Sequence, residues 1–378
     1  MNTDATNADA TNADATVDLR SDTLTHPTER MRQAMHAAEV GDDTFGDDPT
    51  VKRLEAMAAE RLGKEAAVYV PSGSMGNSTA LITYLEIGSR SGAGRPALAV
   101  HETHAHMFSS DRDRFARALF PVESAAVDTE WGVLGPEHLQ QAVAAHPEAE
   151  PLLLCIENTH NYTGGGAVTP AQVNAVAGAA HAAGMRVHCD GARLFNAAVA
   201  QRLPAAELVE QVDSVMFCVS KGLSAPVGSI LCGEAAFIDA ARDTRKIHGG
   251  SMRQAGVIAA AGIVSLEAMV DRLAEDHVNA ARLRAGLRTI EGIEVVEPPI
   301  PTNFAVVDVR GLGWTADEML DRYRAEGVLG GSRPPTRIRL VVNRHIGPPQ
   351  VDRVIEATRH IVASGSEAGA ATVAGTAR

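Results

Sequence analysis

Short, continuously apolar runs alternate with helical patterns along most of this chain, and that alternation restricts the fold more than any other feature. Candidate strands fall at 66–70, 97–100, 152–156, 186–189, 214–219 and 229–232, between candidate helices at 49–62, 75–86, 136–146, 169–183 and 235–245. Strands that are apolar on both faces belong in a mostly parallel sheet covered by helices on either side. A helical stretch over 253–287 is followed by strands at 293–296 and 304–309, a helix at 315–326, a strand at 337–342 and a helix at 348–362. The expected class is α/β. A large doubly wound domain spans 17–265, N-terminal segment included, and a small C-terminal α/β domain spans 266–363. A chain of 378 residues is long enough for two cores.

The ends read differently. Residues 2–16 repeat N-x-D-A-T, a polar pattern with nothing to bury, and 364–378 are small and polar, so both are expected to be disordered. With 34 basic against 47 acidic residues the formal charge is −13, which disfavours nucleic acid and anionic membrane surfaces as partners. No run approaches the roughly 18 apolar residues of a membrane span, and no leader pattern opens the chain. A cytoplasmic location is therefore expected. Cys155, Cys189, Cys218 and Cys232 stand singly in apolar runs, as buried free thiols do.

In open α/β sheets, ligands bind beyond the carboxyl ends of the strands. Only four lysines occur, and Lys221 alone follows a buried-looking strand, while Lys52, Lys64 and Lys246 sit in charged helical surroundings. An amine withdrawn from water favours its neutral form, a nucleophile and Schiff-base former. Asp190 closes another strand and could cap the following helix, or keep a pyridine-type nitrogen protonated. Pro71-Ser-Gly-Ser-Met-Gly-Asn77 joins a strand to a helix. Gly73 allows close approach there, Ser74 and Met75 supply first-turn amides, and Arg253 is the candidate cation for a bound phosphate.

Each feature is weak alone. In this order they point to pyridoxal 5'-phosphate. No G-x-G-x-x-G follows a strand and no G-K-[ST] is present, so NAD and P-loop readings fail. His101-Glu-Thr-His104-Ala-His106 looks metal-like but lacks H-E-x-x-H spacing, so no metal is expected.

Several motifs in register then resemble the low-specificity L-threonine aldolases, fold-type I pyridoxal-phosphate enzymes grouped with β-eliminating lyases. They are Val17-Asp-Leu-Arg-Ser-Asp-Thr23, Gly41-Asp-Asp-Thr-Phe-Gly-Asp-Asp-Pro49, Ile156-Glu-Asn-Thr-His-Asn161, Asp190-Gly-Ala-Arg193, Ser220-Lys-Gly-Leu-Ser-Ala-Pro-Val-Gly-Ser229 and Gly250-Ser-Met-Arg-Gln254. The likeness spans about 17–362. It implies that Lys221 carries the cofactor, Asp190 pairs with its ring nitrogen, and Gly73, Ser74 and Arg253 lie near its phosphate, Arg253 reaching in from a neighbouring subunit. It further implies that His104 stacks on the ring and His160 is a second active-site histidine. Ser21, Arg193 and Arg339 would hold the substrate carboxylate. Phe45 stands where many relatives carry tyrosine, and Ser109 where they often carry glutamate.

The activity so implied is retro-aldol cleavage of L-threonine or L-allo-threonine to glycine and acetaldehyde, in a homotetramer of dimers with shared sites. One rival is β-elimination, or aldol cleavage of another β-substituted amino acid such as a β-aryl serine. The other is a non-catalytic binding protein on the same fold, which the joint presence of Lys221, Asp190 and Arg193 disfavours.

Overall fold

A computed structural model describes residues 16–89, 95–108 and 122–375; the N-x-D-A-T repeat and Ser109 lie outside the described residues. The chain forms two compact units, one of residues 26–271 and one combining 1–25 with 272–378. In chain order the elements begin with β1 (Val17–Asp18), α1 (Glu29–His36), α2 (Pro49–Leu62), β2 (Ala66–Val70), α3 (Gly73–Ser89), β3 (Ala97–Glu102) and β4 (Val122–Val127). Next come α4 (Pro136–Ala144), β5 (Glu150–Glu157), α5 (Pro170–Ala182), β6 (Arg186–Asp190), α6 (Leu194–Gln201), β7 (Ser214–Cys218), β8 (Ser229–Gly233), α7 (Ala235–Ile247) and α8 (Gly256–Val264). The chain continues with α9 (Leu273–Leu287), β9 (Glu294–Val296), β10 (Phe304–Asp308), α10 (Ala316–Ala325), β11 (Val328–Leu329), β12 (Gly331–Arg333), β13 (Arg337–Val341) and α11 (Pro348–Gly375).

The larger unit is built on a seven-stranded sheet of order β2-β8-β7-β6-β5-β3-β4, in which β8 alone runs against the rest. This is the doubly wound, mostly parallel sheet expected. Val68, Leu154, Val187, Phe217 and Leu231, one from each of five strands, are fully buried, because helices cover both faces. Parallel strands also place their carboxyl ends on one edge. Glu102, Glu157, Asp190 and Cys218 close β3, β5, β6 and β7 there, and Glu157 lies in register beside Asp190.

The smaller unit has an antiparallel sheet β12-β13-β10-β9 and a parallel pair β1–β11. Its core gathers Leu19, Leu283, Val307, Tyr323, Ile338 and Val354. Here the expected boundaries need correcting. Residues 17–25 belong with the smaller unit, because Val17 pairs with Val328, and Leu19 both donates to the Leu329 carbonyl (2.8 Å) and accepts from Val341 N–H (2.8 Å). Buried apolar side chains and paired backbone outweigh sequence proximity. The stretch 253–287 is not one helix, since α8 passes through a π-helical turn, Ser265–Met269, before α9 begins. α11 runs to Gly375, past the point where composition suggests a loose tail; its end is rich in alanine, the best helix former.

Candidate active site

The site is built at the carboxyl edge of the large sheet. α3 starts three residues after β2. Ser72 Oγ accepts the Met75 amide (3.2 Å) and the Ser72 carbonyl accepts the Gly76 amide (3.0 Å), which turns the chain into the helix. The amides of Gly73 and Ser74 have no carbonyl partner within the helix, so with the helix dipole they are donors of the kind that bind anions. Met75, expected to supply a third amide, has it committed to Ser72. A Cβ on Gly73 would sit 2.9 Å from Cys218 Sγ and 3.1 Å from Met216 Cε, so glycine here lets α3 rest on β7.

Asp190 ends β6 with its carboxylate buried. Oδ2 accepts from Asn77 Nδ2 (2.7 Å), Oδ1 accepts from Ala192 N–H (3.0 Å), and His106 Nδ1 lies 3.7 Å from Oδ2. Burial alone would push this carboxyl up. The His106 and Asn77 contacts and the Lys221 charge outweigh it and hold Asp190 well below the usual carboxylate range. Lys221 lies three residues past β7 in a tight loop. Its carbonyl accepts from the Ser224 amide (2.8 Å), and Ala225 N–H bonds the Val219 carbonyl (3.0 Å). Buried Ser224 is left-handed, at φ +66°, a sparsely populated conformation for a residue with a side chain.

The three histidines at the end of β3 and just past it diverge. His101 is buried, stacked on Phe108 at 3.9 Å and bonded to Ser124 Oγ (2.6 Å). His104 is exposed and stacks on Tyr162, with ring centroids 3.9 Å apart. His106 turns toward Asp190. Among the described residues no three histidine, cysteine or acidic side chains converge as metal ligands would.

His160, expected as a second active-site histidine, is buried beside two strand-end carboxylates. Its side chain has no exposure, its Nε2 lies 2.9 Å from Glu102 Oε2 and 4.0 Å from Glu157 Oε2, and its Nδ1 lies 3.0 Å from Thr163 Oγ1. The ring is enclosed by protein, with Nε2 facing the Glu102 carboxylate at ion-pair distance and Nδ1 at the Thr163 hydroxyl. The two carboxylates it faces hold backbone around the site: Glu102 accepts the His104 amide (2.6 Å), and Glu157 accepts those of His106 (2.7 Å) and Asn161 (2.8 Å).

Arg193 is buried just past Asp190, and its Nη1 reaches Asn161 Oδ1 at 3.5 Å. Arg253 is exposed and its Nη1 bonds Asp42 Oδ2 (3.3 Å) and Thr44 Oγ1 (3.2 Å), beside Phe45, which is 77% exposed. The acidic motif around it is largely architectural. Asp43 forms a buried pair with Arg245 (2.9 Å), and Asp48 caps α2 while accepting the Gly256 amide (2.8 Å). In the smaller unit Ser21 Oγ accepts from Thr23 N–H (3.2 Å), and Arg339 Nη2 donates to the Arg20 carbonyl (3.0 Å).

Asn77, His106, His188, Glu102 and Glu157 carry no expectation from sequence, yet they surround the predicted residues. Two of them leave a readable signal. His188 and Asp190 are two apart on a strand and so share a face, and Asn77 closes the glycine-serine motif one turn into α3.

Comparisons with known proteins place this arrangement. The chain superposes on a threonine aldolase of Leishmania major with a TM-score of 0.74 at 18% identity, covering 92% of this chain and 99% of that one. That likeness defines the class by fold: a fold-type I α/β protein. The beta-eliminating lyase family model matches residues 18–310. Low-specificity L-threonine aldolase 1 of Arabidopsis thaliana is 37% identical over 337 residues, 87% of this chain and 92% of the relative. Low specificity L-threonine aldolase of Escherichia coli is 38% identical over 345 residues, 89% and 97% of the two chains. The chain therefore belongs to the low-specificity L-threonine aldolase group of the beta-eliminating lyase family.

Proposed function

We propose that this protein is a pyridoxal-phosphate-dependent carbon–carbon lyase that splits L-threonine and L-allo-threonine into glycine and acetaldehyde. The observation that carries the proposal is the ionised, buried carboxylate of Asp190, placed by a parallel sheet beside the start of α3 and within the field of Lys221. The donor set suits the cofactor: an anion site for the phosphate, an acceptor for a protonated ring nitrogen, and an amine for the aldehyde carbon. Bound there, pyridoxal phosphate supplies an electron sink for the pair left on Cα when the Cα–Cβ bond breaks.

The chain's own residues do the rest. Gly73 and Ser74 would hold the phosphate through backbone N–H groups, Lys221 would supply the amine that anchors the cofactor, and Asp190 would keep a proton on the ring nitrogen. His104, exposed at the strand edge and stacked on Tyr162, would pack against the cofactor ring and accept the β-hydroxyl proton. Arg193 would hold the substrate carboxylate. That contact fixes rotation about the Cα–N bond and so selects which Cα bond breaks. We read the protein as a cytoplasmic homotetramer in which Arg253 serves a neighbouring subunit. Four buried free thiols support the compartment, and exposed Phe45 beside Arg253 supports the assembly. Sedimentation of the purified protein tests the latter.

The deciding experiment supplies the purified protein and pyridoxal phosphate with L-threonine, L-allo-threonine and their D-enantiomers, and measures acetaldehyde and 2-oxo acid release. Acetaldehyde from the L-substrates is the expected result. A 2-oxo acid as the main product would instead make the protein a β-eliminating lyase.

A further inference from the structure

We infer that Asn77, His188 and Ser214 form a one-way hydrogen-bonded chain behind Asp190 that fixes the direction and charge state of its carboxylate toward the cofactor's ring nitrogen. All four side chains are buried to within 3% exposure. The distances are 2.7 Å from Asn77 Nδ2 to Asp190 Oδ2, 3.1 Å from His188 Nε2 to Asn77 Oδ1, and 2.8 Å between Ser214 Oγ and His188 Nδ1. Secondary structure makes the alignment automatic. His188 and Asp190 share one face of β6, His188 is in register with Ser214 of β7, and Asn77 projects from α3 over that face.

Its polarity follows from donors and acceptors alone. An ionised carboxylate only accepts, so the Asn77 amide must turn its NH2 to Asp190 and its carbonyl to His188. That carbonyl needs a donor, so the proton of neutral His188 sits on Nε2. The bare Nδ1 then takes the Ser214 hydroxyl. Burial pushes His188 down to about 4, so it stays neutral at working pH and the polarity is not disturbed by titration. Every dipole in the chain points a donor toward Asp190. Protonating Asp190 would leave the Asn77 amide facing a weaker acceptor, with no room to reverse without breaking the His188 contact. Asn77 and His188 are thus positioning residues that act through Asp190.

The role assigned to the ring nitrogen rests on the function proposed above; the hydrogen-bond polarity does not. Two measurements separate them. Nitrogen-15 NMR of histidine-labelled protein without cofactor should show His188 as the neutral Nε2–H tautomer, unchanged between about pH 6 and 8. An Nδ1–H tautomer or a charged ring overturns the chain. Pyridoxal phosphate dissociation is then followed against pH for the wild type, Asn77→Ala and Asn77→Asp. Asn77→Ala should weaken retention roughly tenfold, the scale of one hydrogen bond to a charged group. Asn77→Asp should retain the cofactor in acid and lose it progressively as pH rises, because the new carboxyl can donate to Asp190 only while protonated. Wild-type affinity and pH dependence in both variants would overturn the inference. If the wild type fails to retain pyridoxal phosphate, the proposed function falls, and the tautomer still decides the chain.

Discussion

Replacing His160 by glutamine tests whether a buried cation holds the strand-end loops together. The substitution keeps roughly the shape and one donor but removes the charge that faces Glu102 at 2.9 Å and Glu157 at 4.0 Å. Burial alone would lower the His160 pKa, but Glu157, Glu102 and Asp190 outweigh it and raise the value above the usual histidine range. A raised folded-state value fixes the sign. The stabilisation is complete below the unfolded value of about 6.5 and is lost as pH climbs through the higher folded value. Removing one partner of a buried charge pair costs about 3–5 kcal/mol, because the other is left uncompensated. In a unit spanning His26–Asp271, that is a fall in melting temperature of about 6–20 °C at 2–4 °C per kcal/mol. Thermal unfolding of wild type and His160→Gln should therefore differ most near and below pH 6, and the difference should shrink as pH rises. Adding Glu102→Gln to His160→Gln should recover part of the loss, since it withdraws one of the stranded carboxylates. Equal melting temperatures near pH 6, or a difference that does not shrink with pH, would refute the reasoning.

Borohydride reduction in the presence of pyridoxal phosphate should trap an adduct on Lys221, and mass spectrometry should find none in Lys221→Ala but an intact one in Lys52, Lys64 and Lys246 variants. Asp190→Asn keeps the shape and removes the charge, so aldehyde release should fall by orders of magnitude while unfolding stays cooperative. Gly73→Ala forces a methyl against Cys218 Sγ and Met216 Cε, 2.9 and 3.1 Å away, and should cost about 1–3 kcal/mol in denaturant unfolding. Leu19→Ala removes a fully buried side chain from the smaller core and should cost about 2–5 kcal/mol there, whereas a dispensable N-terminal arm would show no change.

The sequence by itself determined the architecture of the sheet and the ends at which chemistry collects. Runs such as Ala66–Val70 and Ser214–Cys218 are apolar on both faces, and only a helix-covered parallel sheet accommodates them. Once that is accepted, Asp190 and Lys221 must share an edge, because parallel strands end together. β4 was illegible, being half exposed and made of small residues with no strong period. The attachment of 17–25 to the smaller unit was also beyond reading, since β1 is two residues long and its partner lies some three hundred positions away. The surroundings of the histidines come from tertiary structure alone. Sequence singles out His104 and His160 only through the family resemblance, yet of four neighbouring histidines His101 packs on Phe108, His104 stacks on Tyr162, His106 faces Asp190 and His160 lies beside two glutamates. An imidazole is a base, an acid, a cation or a packing surface according to the groups within about 4 Å of it. Those groups come from separate strands and loops, so only folding assembles the environment that chooses among them.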